Sequence, residues 1–238
     1  MRAVLIQNEA GVPAGRLLEV LDHLNWGAEI ICMDEGGQVP LSLGGFDCLV
    51  ILGGTMNVDD TQGHPYLESL RRLAASALST GFPVLGLCLG AQVMARAAGA
   101  AVHRNKCGET GWYNVGFTGE GLRDPVLDGL TSPLEVFHWH DDMFELPENA
   151  ALLAESVQCP HQIMRIDRYY YGFQFHPEVT TDTIMEWIEN SHDEVEGKLG
   201  PGGAGRLARL TRQKMPLYHD NCRRLFINFF NGINKIYF

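Results

Sequence analysis

A chain of 238 residues, 45% hydrophobic and 20% charged, holds enough apolar material for one sizeable α/β domain and not for two independent ones. Its formal net charge of −11 argues against a nucleic-acid surface and against binding to an anionic membrane. No basic-then-apolar leader opens the chain, no run approaches the roughly 18 apolar residues of a spanning helix, and the cysteines are dispersed. Cys32, Cys48, Cys88, Cys107, Cys159 and Cys222 include no C-x-x-C pair, which points to reduced thiols in a cytoplasm and not to disulfides or zinc.

The first half alternates strands with helices. Arg2 to Gln7 reads as a strand, and Ala14 to Asn25 as a helix with Leu17, Leu18, Leu21 and Leu24 on one face. Glu29 to Met33 and Asp47 to Leu52 are further strands, the second central and ending in the glycine turn Gly53-Gly54-Thr55. Tyr66 to Ser79 reads as a helix, with Pro65 at its start. Val84 to Leu87 is a short buried strand running directly into a second helical stretch from Ala91 to Ala97. Such alternation implies a mostly parallel sheet with helices on both faces and ligand sites at the carboxyl ends of its strands.

After Gly99 the pattern changes to short strands joined by turns: Val102-His103, Trp112 to Phe117, Leu134 to Trp139, Ala151 to Glu155, Ile163 to Ile166 and Tyr169 to Phe175. This predicts a short antiparallel section appended to the parallel sheet. Thr180 to Glu196 reads as a helix capped by Thr181 or Asp182. Residues 1–196 form the main domain on this reading, and the glycine-rich stretch 197–205 a linker. Residues 206–238 then carry two helices, Arg206 to Lys214 and Leu217 to Asn234, the last packing back through Leu225, Phe226, Phe229 and Phe230.

The chemistry lies at two stretches. In Pro83 to Met94, P-V-L-G-L-C-L-G-A-Q-V-M, a strand turns sharply into a helix around Cys88, the pattern of a nucleophile elbow. Gly86 and Gly90, two residues on either side, leave room for so tight a turn. The helix N-terminus favours thiolate at Cys88. The second stretch, Tyr170 to Thr180, ends a strand in His176-Pro177-Glu178. A cysteine nucleophile needs a base, and the base needs a group that fixes its tautomer. His176 and Glu178 supply both.

Together, G-L-C-L-G and the downstream G-F-Q-F-H-P-E resemble the class I, triad glutamine amidotransferases, in particular a stand-alone glutaminase domain like that of GMP synthase. The resemblance runs from the first strand through the helix after Glu178. It implies the flavodoxin-like fold of that family and a Cys88-His176-Glu178 triad that takes ammonia from the side-chain amide of glutamine. The oxyanion hole would combine the N–H of Leu89, which follows from the elbow itself, with that of Gly54, which follows from the resemblance. The family often has proline after the Gly-Gly pair, where this chain has Thr55.

Gln92, one helical turn past Cys88, is carried over as a substrate-binding residue. The stretch Phe137 to Asp142, F-H-W-H-D-D, matches the family's substrate strand, frequently S-H-G-D. It assigns Trp139, Asp141 and Asp142 to the substrate, with Asp141 replacing a frequent glycine. His138 and His140 have the spacing of metal ligands on a strand, but no third and fourth ligand stand at suitable spacing, so neither metal nor cofactor is expected.

The expected substrate is glutamine or a γ-glutamyl compound, and the expected partner a separate ammonia-accepting synthase, since no P-loop or second catalytic segment is evident. Two other readings stay open. A γ-glutamyl peptidase or hydrolase would use the same triad, and a non-catalytic regulatory module would keep only the fold. Other cysteine-elbow proteins place histidine directly after the cysteine, where this chain has Leu89.

Overall fold

The computed structural model describes residues 1–237, with the side chains of all but residues 106, 107, 236 and 237. Its centre is a nine-stranded sheet in the order β2-β1-β3-β4-β9-β8-β7-β5-β6. The strands are β1 (Arg2–Gln7), β2 (Gly27–Cys32), β3 (Cys48–Ile51), β4 (Val84–Leu87), β5 (Val102–Phe117), β6 (Leu134–Phe144), β7 (Ala150–Glu155), β8 (Ile163–Ile166) and β9 (Tyr170–Phe173). From β2 to β9 all pairings are parallel. From β9 through β8, β7 and β5 to β6 they are antiparallel.

The antiparallel section is thus as wide as the parallel one. Its two expected fragments at Val102 and Trp112 are one 16-residue strand, β5. A register shift between Arg104 and Glu109 interrupts the alternation that sequence patterning relies on.

Period-2 alternation sorts the apolar side chains into two cores, one on each face of the sheet. Ala3 and Leu5 of β1 enter the core that also holds α1 (Arg16–His23), α4 (Thr181–Asn190), α5 (His192–Leu199) and α6 (Gly203–Tyr237). Val4 and Ile6 enter the opposite core, with α2 (Tyr66–Ser79) and α3 (Leu89–Ala97).

The carboxyl-terminal third differs from its predicted outline. The helix expected over Thr180 to Glu196 is divided at Ser191 into α4 and α5. Its cap is Thr180, whose hydroxyl accepts the N–H of Thr183. The glycine-rich stretch carries the end of α5 and the start of α6, with only residues 200–202 between them.

The two helices expected beyond it are one, with Pro216 inside. A mid-helix proline costs on the order of 3 kcal/mol. The buried stripe Met215, Tyr218, Cys222, Leu225, Phe226, Phe229, Phe230 and Ile233 offsets this, at about 1.5–3 kcal/mol for each large side chain withdrawn from water.

Among the described residues, no helix is long and apolar enough to cross a membrane. The thiol of Cys107 lies outside the described side chains; the other five cysteines are free.

Candidate active site

Parallel pairing of β4 with β9 brings the two motifs together. Leu87 pairs with Phe173, and the N–H of Cys88 donates to the Phe173 carbonyl at 2.8 Å. Cys88 therefore leaves the sheet beside the segment that carries His176. At the corner Cys88 takes φ 51° and ψ −109°, in the left-handed half of the backbone map where a side-chain-bearing residue is strained. A Cβ at Gly86 would press on the Gly90 carbonyl, and one at Gly90 on the Ile51 carbonyl. Both flanking glycines are thus required by close backbone approach.

Nδ1 of His176 donates to Oε1 of Glu178 at 2.7 Å, with both groups buried. That leaves Nε2 for Cys88, whose sulfur is near enough to favour the charged ring. Burial alone would lower the imidazole's pKa. The Glu178 carboxylate and the Cys88 sulfur outweigh it and hold His176 well above its usual value. An imidazolium beside the sulfur is the setting that favours thiolate. The main chain of His176 is fixed as well: its N–H donates to the Phe137 carbonyl at 3.0 Å, and its carbonyl accepts the Tyr218 hydroxyl at 2.7 Å. Trp187 of α4 stands edge-on to the ring, centroids 5.1 Å apart.

These groups open on a cavity of about 420 Å³ lined by Cys88, His176, Gly54, Gln92, Trp139, Asp141 and Asp142 among others. Every sequence-assigned substrate residue therefore reaches one cavity, though not all are free within it. Gln92 is buried, and its amide donates to the Asp142 carbonyl at 3.0 Å, which ties α3 to β6. The Asp142 carboxylate accepts from Asn57 at 2.7 Å. Asp141 pairs with Lys198 at 2.7 Å and Arg104 at 3.1 Å, so the residue standing in for glycine anchors α5. Leu89 opens α3, its side chain packed in the core against the Gly54 turn. Glu178 lies behind His176 and is fully buried.

Thr55 gains a reason from the structure. Its N–H and its hydroxyl both donate to Oε1 of Glu9, each at 2.5 Å. A proline there would have no N–H to give. Sequence reasoning missed Glu9, Trp187, Lys198 and Tyr218. They come from other elements and carry no local motif, so only the fold brings them to the cavity wall or to the main chain of His176.

His138 and His140 share a face of β6, Glu109 of β5 lies beside both, and Cys159 of the β7–β8 connection lies within 4.8 Å of the Glu109 and His140 ligand atoms.

A half-parallel sheet with a cysteine at a strained strand-to-helix corner and a buried His–Glu pair beside it defines a glutamine amidotransferase-like α/β protein. The chain belongs to the class-I glutamine amidotransferase family, whose model, Glutamine amidotransferase class-I, matches residues 15–195. It is 34% identical over 203 residues to the glutamine amidotransferase-like protein YfeJ of Salmonella typhimurium, covering 84% of this chain and 85% of that one. A crystal structure of a glutamine amidotransferase from Thermotoga maritima superposes with TM-score 0.85 at 28% identity, covering 96% and 97% of the two chains. A glutamine-hydrolysing GMP synthase of Psychrobacter arcticus is 32% identical over 134 residues, 56% of this chain and 24% of that protein. The chain thus matches about a quarter of that relative's length.

Proposed function

We propose that this protein hydrolyses the side-chain amide of glutamine through a γ-glutamyl thioester on Cys88 and releases ammonia. The Cys88 thiolate attacks the amide carbon. The resulting oxyanion takes hydrogen bonds from the N–H groups of Leu89 and Gly54, a kind of contact worth about 3–4 kcal/mol per donor. Collapse of the tetrahedral intermediate breaks the C–N bond, and His176 gives its proton to the departing nitrogen. Water, deprotonated by His176, then hydrolyses the thioester. Glu178 accepts from Nδ1 and holds the imidazole in the tautomer that faces sulfur.

The observation that carries this reading is the strained Cys88 corner facing the 2.7 Å His176–Glu178 pair across one cavity. The cavity's substrate wall is the main chain of Trp139 to Asp142, which we assign to the α-amino and α-carboxylate groups. The likeness to a glutamine-hydrolysing GMP synthase supports a separate ammonia-consuming synthase as partner. Free thiols at the five described cysteines support a reducing, cytoplasmic setting.

One observation favours the γ-glutamyl hydrolase as the second reading. The cavity extends past the triad to Trp187, Asn190, Ser191, Glu194 and Lys198 of α4, α5 and the residue between them, more wall than one glutamine needs. Incubation with glutamine and with γ-glutamyl dipeptides, following ammonia, released amine and the intact mass of the protein, separates the two. A Cys88 adduct with ammonia release from glutamine is the expected result. Turnover of dipeptides alone would move the assignment to the hydrolase, and no adduct with either would end the enzymatic reading.

A further inference from the structure

Behind the catalytic cavity lies a buried polar cluster that glutamine hydrolysis does not use. Glu109 of β5 sits opposite His140 of β6, and His138 is two residues before His140 on the same face. Glu109 and His138 are fully buried and His140 nearly so. Oε2 of Glu109 is 3.0 Å from Nε2 of His140. That nitrogen is 3.2 Å from Nδ1 of His138, which is itself 3.6 Å from the Glu109 oxygen.

Three atoms that can each donate an electron pair converge here. The Glu109 oxygens already accept from Gln162 at 2.8 Å and from Ser156 at 3.1 Å. Among the described residues, no lysine or arginine pairs with Glu109. Nδ1 of His140 faces the Asp142 carbonyl at 3.0 Å, an acceptor, so the ring's proton belongs there. Nε2 of His140 then faces a carboxylate oxygen and a second imidazole.

The triangle has the dimensions of a coordination face. A point about 0.8 Å out of its plane lies about 2.05 Å from all three atoms, the length of zinc bonds to nitrogen and oxygen, and an ideal tetrahedral ion stands about 0.7 Å out. Sγ of Cys159 lies within 4.8 Å of the Glu109 and His140 ligand atoms. We propose that Glu109, His138 and His140 form the coordination face of a site for a zinc-class divalent cation, with Cys159 as the neighbouring thiolate ligand.

Two imidazoles, a carboxylate and a thiolate are a donor set that zinc accepts, and two anionic ligands neutralise its charge. Binding releases the Cys159 thiol proton to solvent and forms the sulfur–metal bond. The outer contacts fit too: a metal-bound histidine donates its other N–H to a carbonyl, as His140 does to Asp142, and a ligating carboxylate is itself hydrogen-bonded, as Glu109 is by Gln162 and Ser156. With Glu109, His138 and Cys159 buried and only His140 bordering the catalytic cavity, the ion is structural. It ties β5, the β7–β8 connection and β6 together directly behind the Trp139–Asp142 wall.

The test uses the full chain and is independent of the glutaminase reading. Protein from zinc-supplemented cells, purified without chelators, is expected to carry about one zinc per chain by elemental mass spectrometry. Exchange with cobalt is expected to give the intense visible bands of a four-coordinate ion and an ultraviolet thiolate-to-cobalt band. Glu109→Gln and Cys159→Ser should each weaken zinc binding at least about tenfold, and Cys88→Ala should keep the metal. A doubly protonated His140 bonding the cluster without metal is the competing arrangement. It predicts wild-type protein that stays substoichiometric after dialysis against excess zinc and takes up cobalt without those bands, which would overturn the site. Unchanged zinc in folded Glu109→Gln would overturn it as well.

Discussion

Nδ1 of His176 and Oε1 of Glu178 lie 2.7 Å apart with only Pro177 between them in the chain. A carboxylate two residues along a regular strand would share a face with the histidine but point away from the sheet beside it. The proline turn brings it onto the imidazole edge. Glu178→Gln keeps the shape and removes the charge. Its kcat for ammonia release is expected to fall by about 10²–10⁴, the range in which positioned acid–base groups act, while Cys88→Ala shows no turnover. A Glu178→Gln enzyme at wild-type rate would exclude Glu178 from the triad.

The raised pKa of His176 also sets a stability profile. Burial works against the charged ring, but Glu178 and Cys88 outweigh it, so the folded protein holds this proton more tightly than the unfolded chain. The contribution is complete below the unfolded value of about 6.5 and is lost as pH rises through the higher native value. The melting-temperature advantage of wild type over Glu178→Gln is therefore expected to shrink on the alkaline side. An advantage that grew with pH from 7 upward would show that the ring is neutral in the native protein.

Much of this site could be read from the chain, and the limits have physical causes. The bounds of β4 and α2 follow from their apolar runs and from Pro65, and the placing of Cys88 beside the His176–Glu178 pair from the two motifs around Gly86, Gly90 and Pro177. Pro216 was misleading in the other direction: it marks a helix break by local rules, and burial of the Tyr218–Phe230 stripe overrides it. Glu109, Glu9 and Lys198 had no local signature. Their partners lie 31, 46 and 57 positions away, and only strand pairing and helix packing bring them together.

Thiol chemistry should single out Cys88. Cys48, Cys88, Cys159 and Cys222 are all buried, but of these Cys88 lines the active-site cavity. Cys32 is more accessible, yet its pKa is raised to about 11 by desolvation and the neighbouring Asp34 carboxylate. At pH 7, peptide mapping after brief iodoacetamide treatment is expected to find Cys88 modified first among these five. Cys32 should follow only as the pH is taken toward 11. Equal labelling of Cys32 and Cys88 at pH 7 would contradict a thiolate at the elbow.

Glu9 is expected to act by holding the Gly54–Thr55 turn. Glu9→Ala removes both 2.5 Å contacts from Thr55 and frees the peptide proposed to face the oxyanion. Loss of about tenfold or more in kcat is expected, in line with the sensitivity of catalysis to ångström-scale misplacement. Glutamine KM should change less, because Glu9 is not assigned to the α-amino or α-carboxylate groups. A rise in KM at constant kcat would assign Glu9 to substrate binding instead.

The hydroxyl of Tyr218 ends on the main-chain oxygen of His176, and Tyr218 belongs to a helix whose outer surface faces solvent. A rod 35 residues long thus rests one of its rungs on the residue proposed to shuttle the proton. Whatever grips that rod from outside, whether a neighbouring subunit or an antibody, has a mechanical handle on the imidazole without ever entering the cavity.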